Sequence, residues 1–201
     1  MGRQRGCREL LNAGADPSAE GGEHGSALHA ALSKGRNHLV EILLQRGADT
    51  GSKHSTTGLT ALMVAVGRND IDLVTLLLQH KANTESVSKD GRTPLLVAAG
   101  TGNARLVKAL LEGGAGLEAK EPYCGLTALL VASELGDRDM MKVLLEAGID
   151  ANSEGGIYGN AMRAALYRQD QETKDMLKRF GGRAEMKRKY CVSETVRRCW
   201  E

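Results

Sequence analysis

Apolar and polar residues follow one another along this chain in blocks that repeat with a period of about 33 residues. One block, Asp90–Ala99, reads DGRTPLLVAA, and a second apolar run follows it and ends at Leu110-Leu111. This spacing predicts a tight turn, a short helix and a second amphipathic helix. The residues equivalent to Leu95 stand at successive steps of 34, 33, 34 and 33: Leu28, Leu62, Leu95, Leu129 and Met162.

A second series of positions has the same period. It marks the end of each second helix, where glycine readily takes the left-handed conformation. Its members are Gly14, Gly47, Lys81, Gly114, Gly148 and Gly182. Two series with one period indicate stacked units, each of which must bury its apolar stripe against its neighbours.

The residues at the start of each first helix support this division. Their side chains can accept hydrogen bonds from the free N–H groups of a helix N-terminus. They are Ser26, Thr60, Thr93, Thr127 and Asn160. Pro94 follows Thr93, at the first helical position, where the missing N–H has no cost.

At these residues the chain resembles the ankyrin repeat family, over about residues 7 to 184. The variant beginning at Gly155, GGIYGNAMRAA, is similar to units in large ankyrin arrays of filamentous fungi, which often stand beside nucleotide-binding signalling domains. The resemblance implies an all-α ankyrin repeat solenoid of helix-turn-helix units with hairpin-like turn tips. Only His29 keeps the family histidine, and we expect it to bond the turn or cap the helix.

The repeat positions divide the chain into three parts. We expect a partial N-terminal repeat at residues 1–20, five repeats over residues 21–184, and a basic C-terminal tail or cap at residues 185–201. The five repeats span about 21–53, 54–86, 87–120, 121–153 and 154–184. These ranges are called units one to five below.

The charge of the chain is small, with a formal net value of +2 over 201 residues. Such a balance does not favour a nucleic-acid partner, which usually requires a strongly basic surface. The four cysteines are scattered without a C-x-x-C pair, which predicts free thiols and gives no zinc site. We expect no signal peptide, because the first residues lead into no apolar run, and no apolar stretch in the sequence is long enough to cross a membrane.

No motif in the chain predicts catalysis. The sequence contains no H-E-x-x-H, no G-x-S-x-G and no P-loop, and its five histidines are dispersed. Gly100-Thr101-Gly102 lies in a turn between two predicted helices without a preceding strand, so it does not indicate a nucleotide site. We therefore expect no enzyme activity, no cofactor and no metal.

The expected function is protein binding through a surface. In the ankyrin fold the turn tips and first helices line a concave face, and its variable positions are the candidates for partner contact. They are Leu59, Val64, Arg68, Arg92, Val97, Tyr123, Leu126, Val131, Leu135, Tyr158, Tyr167 and Arg168. An apolar centre with Tyr and Arg around it is typical of protein interfaces. The alternative is that the valines pack between adjacent helices.

The sequence leaves the biological setting open among three hypotheses. The first is a cytoplasmic, non-catalytic interaction module or scaffold, as in a signalling protein. The second is a nuclear transcriptional co-regulator, which depends on the basic tail near Lys187–Lys189. The third is an accessory protein of a small-molecule pathway. The partner's identity does not follow from the fold.

Overall fold

The computed structural model describes residues 2–21 and 25–184, and in this part of the chain regular structure is entirely α-helical, with only isolated β-bridges besides. One helix, α1, comes first, and five helix pairs follow, one in each of units one to five. The helices are α1 Gly2–Asn12, α2 Ala27–Ser33, α3 Asn37–Gln45, α4 Ala61–Gly67, α5 Ile71–Gln79, α6 Pro94–Gly100, α7 Ala104–Glu112, α8 Ala128–Leu135, α9 Arg138–Glu146, α10 Ala161–Tyr167 and α11 Gln171–Arg179. The predicted all-α class is confirmed, and the predicted tail at 185–201 lies outside the described residues.

The first helices of the five pairs form what we call the inner layer, and the second helices form the outer layer. Each inner helix begins after a residue whose side chain accepts a hydrogen bond from the backbone N–H three residues on. These capping residues are the predicted Ser26, Thr60, Thr93, Thr127 and Asn160. Pro94 stands at the start of α6, as the sequence predicted.

The outer helices use a different set of caps. Carboxylate or amide side chains begin four of them, at Asp70, Asn103, Asp137 and Asp170. A carboxylate at this position is also favoured by the positive end of the helix dipole. Helix α3 begins after Arg36, which forms no such side-chain bond.

The turn after each outer helix has a residue with positive φ. Lys81 has φ 59°, so the predicted left-handed conformation of a non-glycine residue at this position is confirmed. After α11 the residue in this conformation is Gly181, with φ 79°, and not Gly182, as the spacing in the sequence suggested. With Gly181 in the series, its steps alternate regularly between 33 and 34.

The alternation has its cause in the turns that precede the inner helices, which we call fingers. In units two and four the backbone bonds that close the finger join residues five apart, His54 to Leu59 and Glu121 to Leu126. In unit three the corresponding bond, from Ser88 to Arg92, joins residues only four apart. Units two and four therefore carry one additional finger residue.

Small residues allow the fingers to pack on one another. A Cβ atom on Gly91 would overlap the ring of Pro122 in the next finger. A Cβ on Gly155 would likewise overlap the backbone carbonyl of Gly125. Glycine is required at these two positions because neighbouring fingers approach this closely.

The core runs through the stack between the two layers. The reference side chains from Leu28 to Met162 are all at most 4% exposed. Alanines on the inner helices are also fully enclosed, including Ala65, Ala98 and Ala132. Their small size lets adjacent inner helices approach closely, and the leucines fill the space toward the outer layer.

Two sequence expectations about single residues have different outcomes. His29 is buried, and its ring nitrogens lie 3.0 Å from the Ser26 hydroxyl and 3.0 Å from the Leu59 carbonyl oxygen of the next finger. The predicted turn-bonding role of His29 is therefore confirmed. Cys7 is a free thiol, but Cys124 is disulfide-bonded, so the expectation of free thiols is wrong for Cys124.

Candidate partner-binding face

The three valines predicted for the partner face are divided between surface and core. Val64 and Val97 are half-buried, whereas Val131 is only 7% exposed. All three pack against the apolar core. The packing role that the sequence left as an alternative therefore accounts for Val131, and Val64 and Val97 offer only part of their surface to a partner.

Leu126 is also in the core, at 6% exposed, so the expectation that it is accessible to a partner is wrong. The reason lies in the next finger: a Cβ on Gly156 would lie 2.7 Å from the Leu126 Cδ2 atom. The backbone of the fifth finger thus covers Leu126. Leu59, its equivalent in unit two, is half-buried.

Two of the predicted arginines have a structural contact that sequence reasoning missed. The Arg68 Nη1 atom donates to the Leu32 carbonyl oxygen at 2.6 Å, at the end of the preceding inner helix. The Arg168 Nη1 atom donates to the Glu134 carbonyl oxygen at 3.0 Å in the same way. Each guanidinium thus donates to a carbonyl at the negative end of a helix dipole, and the Leu32 carbonyl also accepts from the Gly35 backbone N–H. The sequence feature that could have predicted this contact is an arginine placed directly after the inner helix in two of the units.

Glycine provides the space for this contact. Gly136 follows α8 in the left-handed conformation, and a Cβ there would lie 2.5 Å from the Arg168 Nη2 atom. Arg68 and Arg168 are nevertheless exposed residues, and their charge stays at the surface. Both can hold the neighbouring unit and still contact a partner.

The remaining predicted residues are accessible or partly so. Tyr123 is 79% exposed, Tyr167 74% and Leu135 43%. Arg92 is exposed, and its side chain forms no hydrogen bond or ion pair with any described residue. Tyr158 is half-buried and packs on Tyr167, with 5.0 Å between the ring centroids.

Ile157 and Glu134 belong to the same region; the repeat position placed Glu134 on the variable concave face, whereas Ile157 was not marked by the sequence. Ile157 is 42% exposed at the fifth finger. Burial raises the pKa of Glu134, and a hydrogen bond from the Ile157 backbone partly offsets that rise. This bond joins the end of α8 to the fifth finger. The backbone N–H of Gly156 in turn bonds the Cys124 carbonyl oxygen, which joins the fifth finger to the fourth.

These contacts bring exposed side chains of units four and five into one region, which we call the aromatic end patch. Its members are Tyr123, Leu135, Ile157, Tyr158 and Tyr167. Arg168 borders the patch through its bond to Glu134. The sequence could not show this grouping because the residues come from two fingers and two helices.

The described residues offer little to hold a cofactor or metal. Within residues 2–21 and 25–184, no three side chains of His, Cys, Asp or Glu converge on a possible metal position. The same part of the chain contains no helix with the length and apolar character needed to cross a bilayer.

A sequence profile described as ankyrin repeats in three copies matches residues 2–88 and, in an overlapping placement, residues 62–155. Together the two matches cover most of the chain. The chain belongs to the ankyrin repeat family. Repeats of this family are protein-interaction modules in general, and a stack of them presents an extended binding surface.

Comparison with a solved structure supports the fold of the ankyrin stack. The crystal structure of an ankyrin repeat domain from Acinetobacter baumannii superposes with a TM-score of 0.83, covering 90% of this chain and 94% of that one. The two sequences are 24% identical over the match, so this likeness shows the fold alone.

Curated relatives match over shorter segments. The mouse B-cell lymphoma 3 protein homolog is 38% identical over 66 residues, which is 33% of this chain and 15% of that protein. The mouse 2-5A-dependent ribonuclease is 39% identical over 69 residues, 34% of this chain and 9% of that protein. A putative ankyrin repeat-containing protein of Treponema pallidum is 45% identical over 58 residues, 29% of this chain and 19% of that protein. In each case the match spans less than a fifth of the relative.

Proposed function

We propose that this ankyrin stack is a non-catalytic protein-interaction module that binds its partner through the inner helices and fingers. The observation that carries the proposal is the aromatic end patch. Tyr123 and Tyr167 are largely exposed there, beside the exposed aliphatic side chains of Leu135 and Ile157. Exposed Tyr and aliphatic groups in one place, with Arg at the border, match the composition of protein interfaces.

The outer layer supports the proposal by contrast. Its exposed side chains include paired charges such as Lys108–Glu112 and Lys142–Glu146, which are satisfied within their own helices. A surface of this kind is typical of a solvated face. Most of the large exposed apolar side chains of units four and five instead lie on the inner helices and fingers, the exception being Phe180 at the end of α11.

The setting of the module is part of the proposal. We place it in the cytoplasm, as a scaffold of a signalling protein. The relatives named above come from mammals and bacteria, and the resemblance to fungal signalling arrays remains our interpretation of the Gly155 variant. Nuclear co-regulation depends on the tail at 185–201 and would be tested by deleting that tail and following localisation.

The test is affinity capture of partners with two matched double variants. Tyr123→Ala with Tyr167→Ala removes the two most exposed rings of the patch, and Lys108→Ala with Lys142→Ala removes two exposed outer side chains. We expect the first variant to lose its captured partners by tenfold or more and the second to keep them, since interface energy concentrates in a few aromatic anchors (tenfold being about 1.4 kcal/mol). Circular dichroism melts should be the same for both. Partners retained by the tyrosine variant and lost by the lysine variant would move the site to the outer layer.

A further inference from the structure

Charged residues are distributed unequally between the two helix layers. The inner helices α2, α4, α6, α8 and α10 with their caps contain one acidic residue, Glu134. Their basic residues number four: Lys34, Arg68, Arg163 and Arg168. The outer helices with their caps contain nine Lys or Arg and ten Asp or Glu. The inner layer is therefore basic and the outer layer nearly neutral.

The outer charges pair with one another. Every salt bridge among the described residues joins side chains of outer helices or their caps, including the pair of Arg138 with Asp170 at 2.8 Å. Arg138 also pairs with Glu172. Four of the nine Lys and Arg of the outer layer take part in these pairs, and its nine basic and ten acidic residues sum to −1.

The cations of the inner helices and fingers have a different kind of contact. Arg68 and Arg168 donate to helix carbonyl oxygens. Lys53, Lys89 and Lys120 donate to backbone carbonyls of neighbouring fingers. A carbonyl dipole orients a cation but leaves its net charge in place. The fingers also carry the acidic residues Asp90, Glu121 and Glu154, so they add little net charge and the positive excess comes from the inner helices.

We propose that the partner is a protein segment that is acidic and carries aliphatic or aromatic anchors, and that it binds the aromatic end patch with its carboxylates toward Arg92 and Arg168. This inference rests on the proposed function and adds the chemistry of the partner. The uncompensated cations call for carboxylates, and the exposed Leu135 and Ile157 call for apolar side chains. The exposed tyrosines also offer stacking surfaces of the kind that bases use, but the net charge of +2 is small for a nucleic-acid-binding protein, which favours a peptide.

Arg92 provides the sharpest test of whether the partner segment is acidic. It is exposed, its side chain has no partner among the described residues, and its finger packs on Pro122, directly before Tyr123. Arg105 is the matched control, because it is an exposed arginine on outer helix α7 and its side chain forms no described bond either. Arg92→Glu and Arg105→Glu make the same change of charge on the two layers.

The probes are synthetic peptides of equal length: one of Glu and Leu with a single Phe, one with Lys in place of Glu, and one with Ser in place of Leu and Phe. A single-stranded oligonucleotide is the fourth probe. Titration of the ¹⁵N-labelled chain should show the Glu-Leu peptide binding about tenfold or more tightly than the others, a difference of about 1.4 kcal/mol. Its shift changes should concentrate at residues 91–92, 123–124, 134–136, 156–158 and 167–168.

Arg92→Glu should weaken the Glu-Leu peptide about tenfold, while Arg105→Glu should change its affinity less than twofold. Tighter binding of the Lys peptide or the oligonucleotide, or equal effects of the two variants, would overturn the inference. Failure of the Glu-Leu peptide to bind the aromatic end patch would also overturn the inference. In each of these cases the proposed function would still stand if natural partners captured by the chain were lost with Tyr123→Ala and Tyr167→Ala.

Discussion

The inner and outer layers of this stack are built from helices of similar length but different chemistry. Inner helices have seven or eight residues and are rich in alanine and leucine, with Glu134 and Arg163 as the charged residues within them. Outer helices have nine residues each, and three of the five carry at least three charges. The exposed candidate partner residues lie at inner-helix ends and fingers, whereas the candidate valines lie in the middle of inner helices and are at least half-buried.

The largest expected effect is in the buried leucine row of the inner layer. Leu95 is 1% exposed, and Leu95→Ala should lower the free energy of unfolding by about 2–5 kcal/mol through lost burial and a residual cavity. Leu111 lies half-buried on the outer helix of the same unit, and Leu111→Ala should cost clearly less. Denaturant titration of both variants measures the difference, and equal losses would contradict the distinction between the positions.

Adding volume tests the close approach of the inner helices. Ala98 is fully buried on α6, so Ala98→Leu should destabilise the protein by about 1–3 kcal/mol through overpacking. Ala109 on α7 is half-buried, and Ala109→Leu should stay within about 1 kcal/mol. Thermal melts of the two variants provide the comparison. A tolerated leucine at Ala98 would show that the inner helices are not closely packed there.

Low pH should lower the free energy of unfolding by disrupting the salt-bridge network of Arg138, Asp170 and Glu172 in the outer layer. Burial by itself raises the pKa of Asp170, but hydrogen bonds from Arg138 and Thr173 outweigh it and hold that pKa at about 2, below the ordinary 3.8. Because the folded pKa is the lower one, the stabilisation is complete above pH 3.8 and is lost as the pH falls toward 2. The difference in unfolding free energy between the protein and Asp170→Asn should shrink over that window.

The control for this pH dependence is the Arg138→Ala variant. Without the guanidinium, the pKa of Asp170 should move back toward its ordinary value, and substituting Asp170 should then have less effect on the acid limb of the stability curve. A pH-independent difference between the protein and Asp170→Asn would show that the network does not lower this pKa.

The smallest expected effect concerns the left-handed turns after the outer helices. Lys81 adopts φ 59° at a cost that glycine avoids, so Lys81→Gly should stabilise unit two by less than about 1 kcal/mol after the flexibility of glycine is subtracted. The reverse change, Gly114→Lys, should destabilise unit three by a similar amount. Space around Gly114 is open, so only backbone strain contributes. A loss of stability with Lys81→Gly would mean that its side chain contributes a contact larger than this strain.

The structure also limits which substitutions can test the partner face. Leu126→Asp, paired with Arg92→Glu, would have been a natural way to disrupt a partner surface. Because Leu126 is buried under Gly156, that substitution would place a charge in the core and unfold the unit. Arg92→Glu and the tyrosine substitutions test the same face without this ambiguity.

Features that depend on neighbours a few residues away could be read from the sequence. The hydroxyl of Thr93 bonds the N–H of Leu96, and the same i to i+3 relation recurs at Thr60 and Thr127. Such bonds are local, so residue type and position in the repeat were enough to predict them. The left-handed turn at Lys81 followed for the same reason, from the glycines at equivalent positions.

The sequence by itself determined the repeat, its caps and the register of its core, because each depends on short-range geometry that recurs every 33 or 34 residues. The tertiary structure decided which repeat positions are accessible. Leu59 and Leu126 are equivalent by sequence, but Leu126 is covered by the backbone at Gly156, thirty residues away. Arg68 and Arg168 likewise bond carbonyls 36 and 34 residues earlier. Accessibility depends on the shape of the adjacent unit, and that shape is fixed only when the units stack.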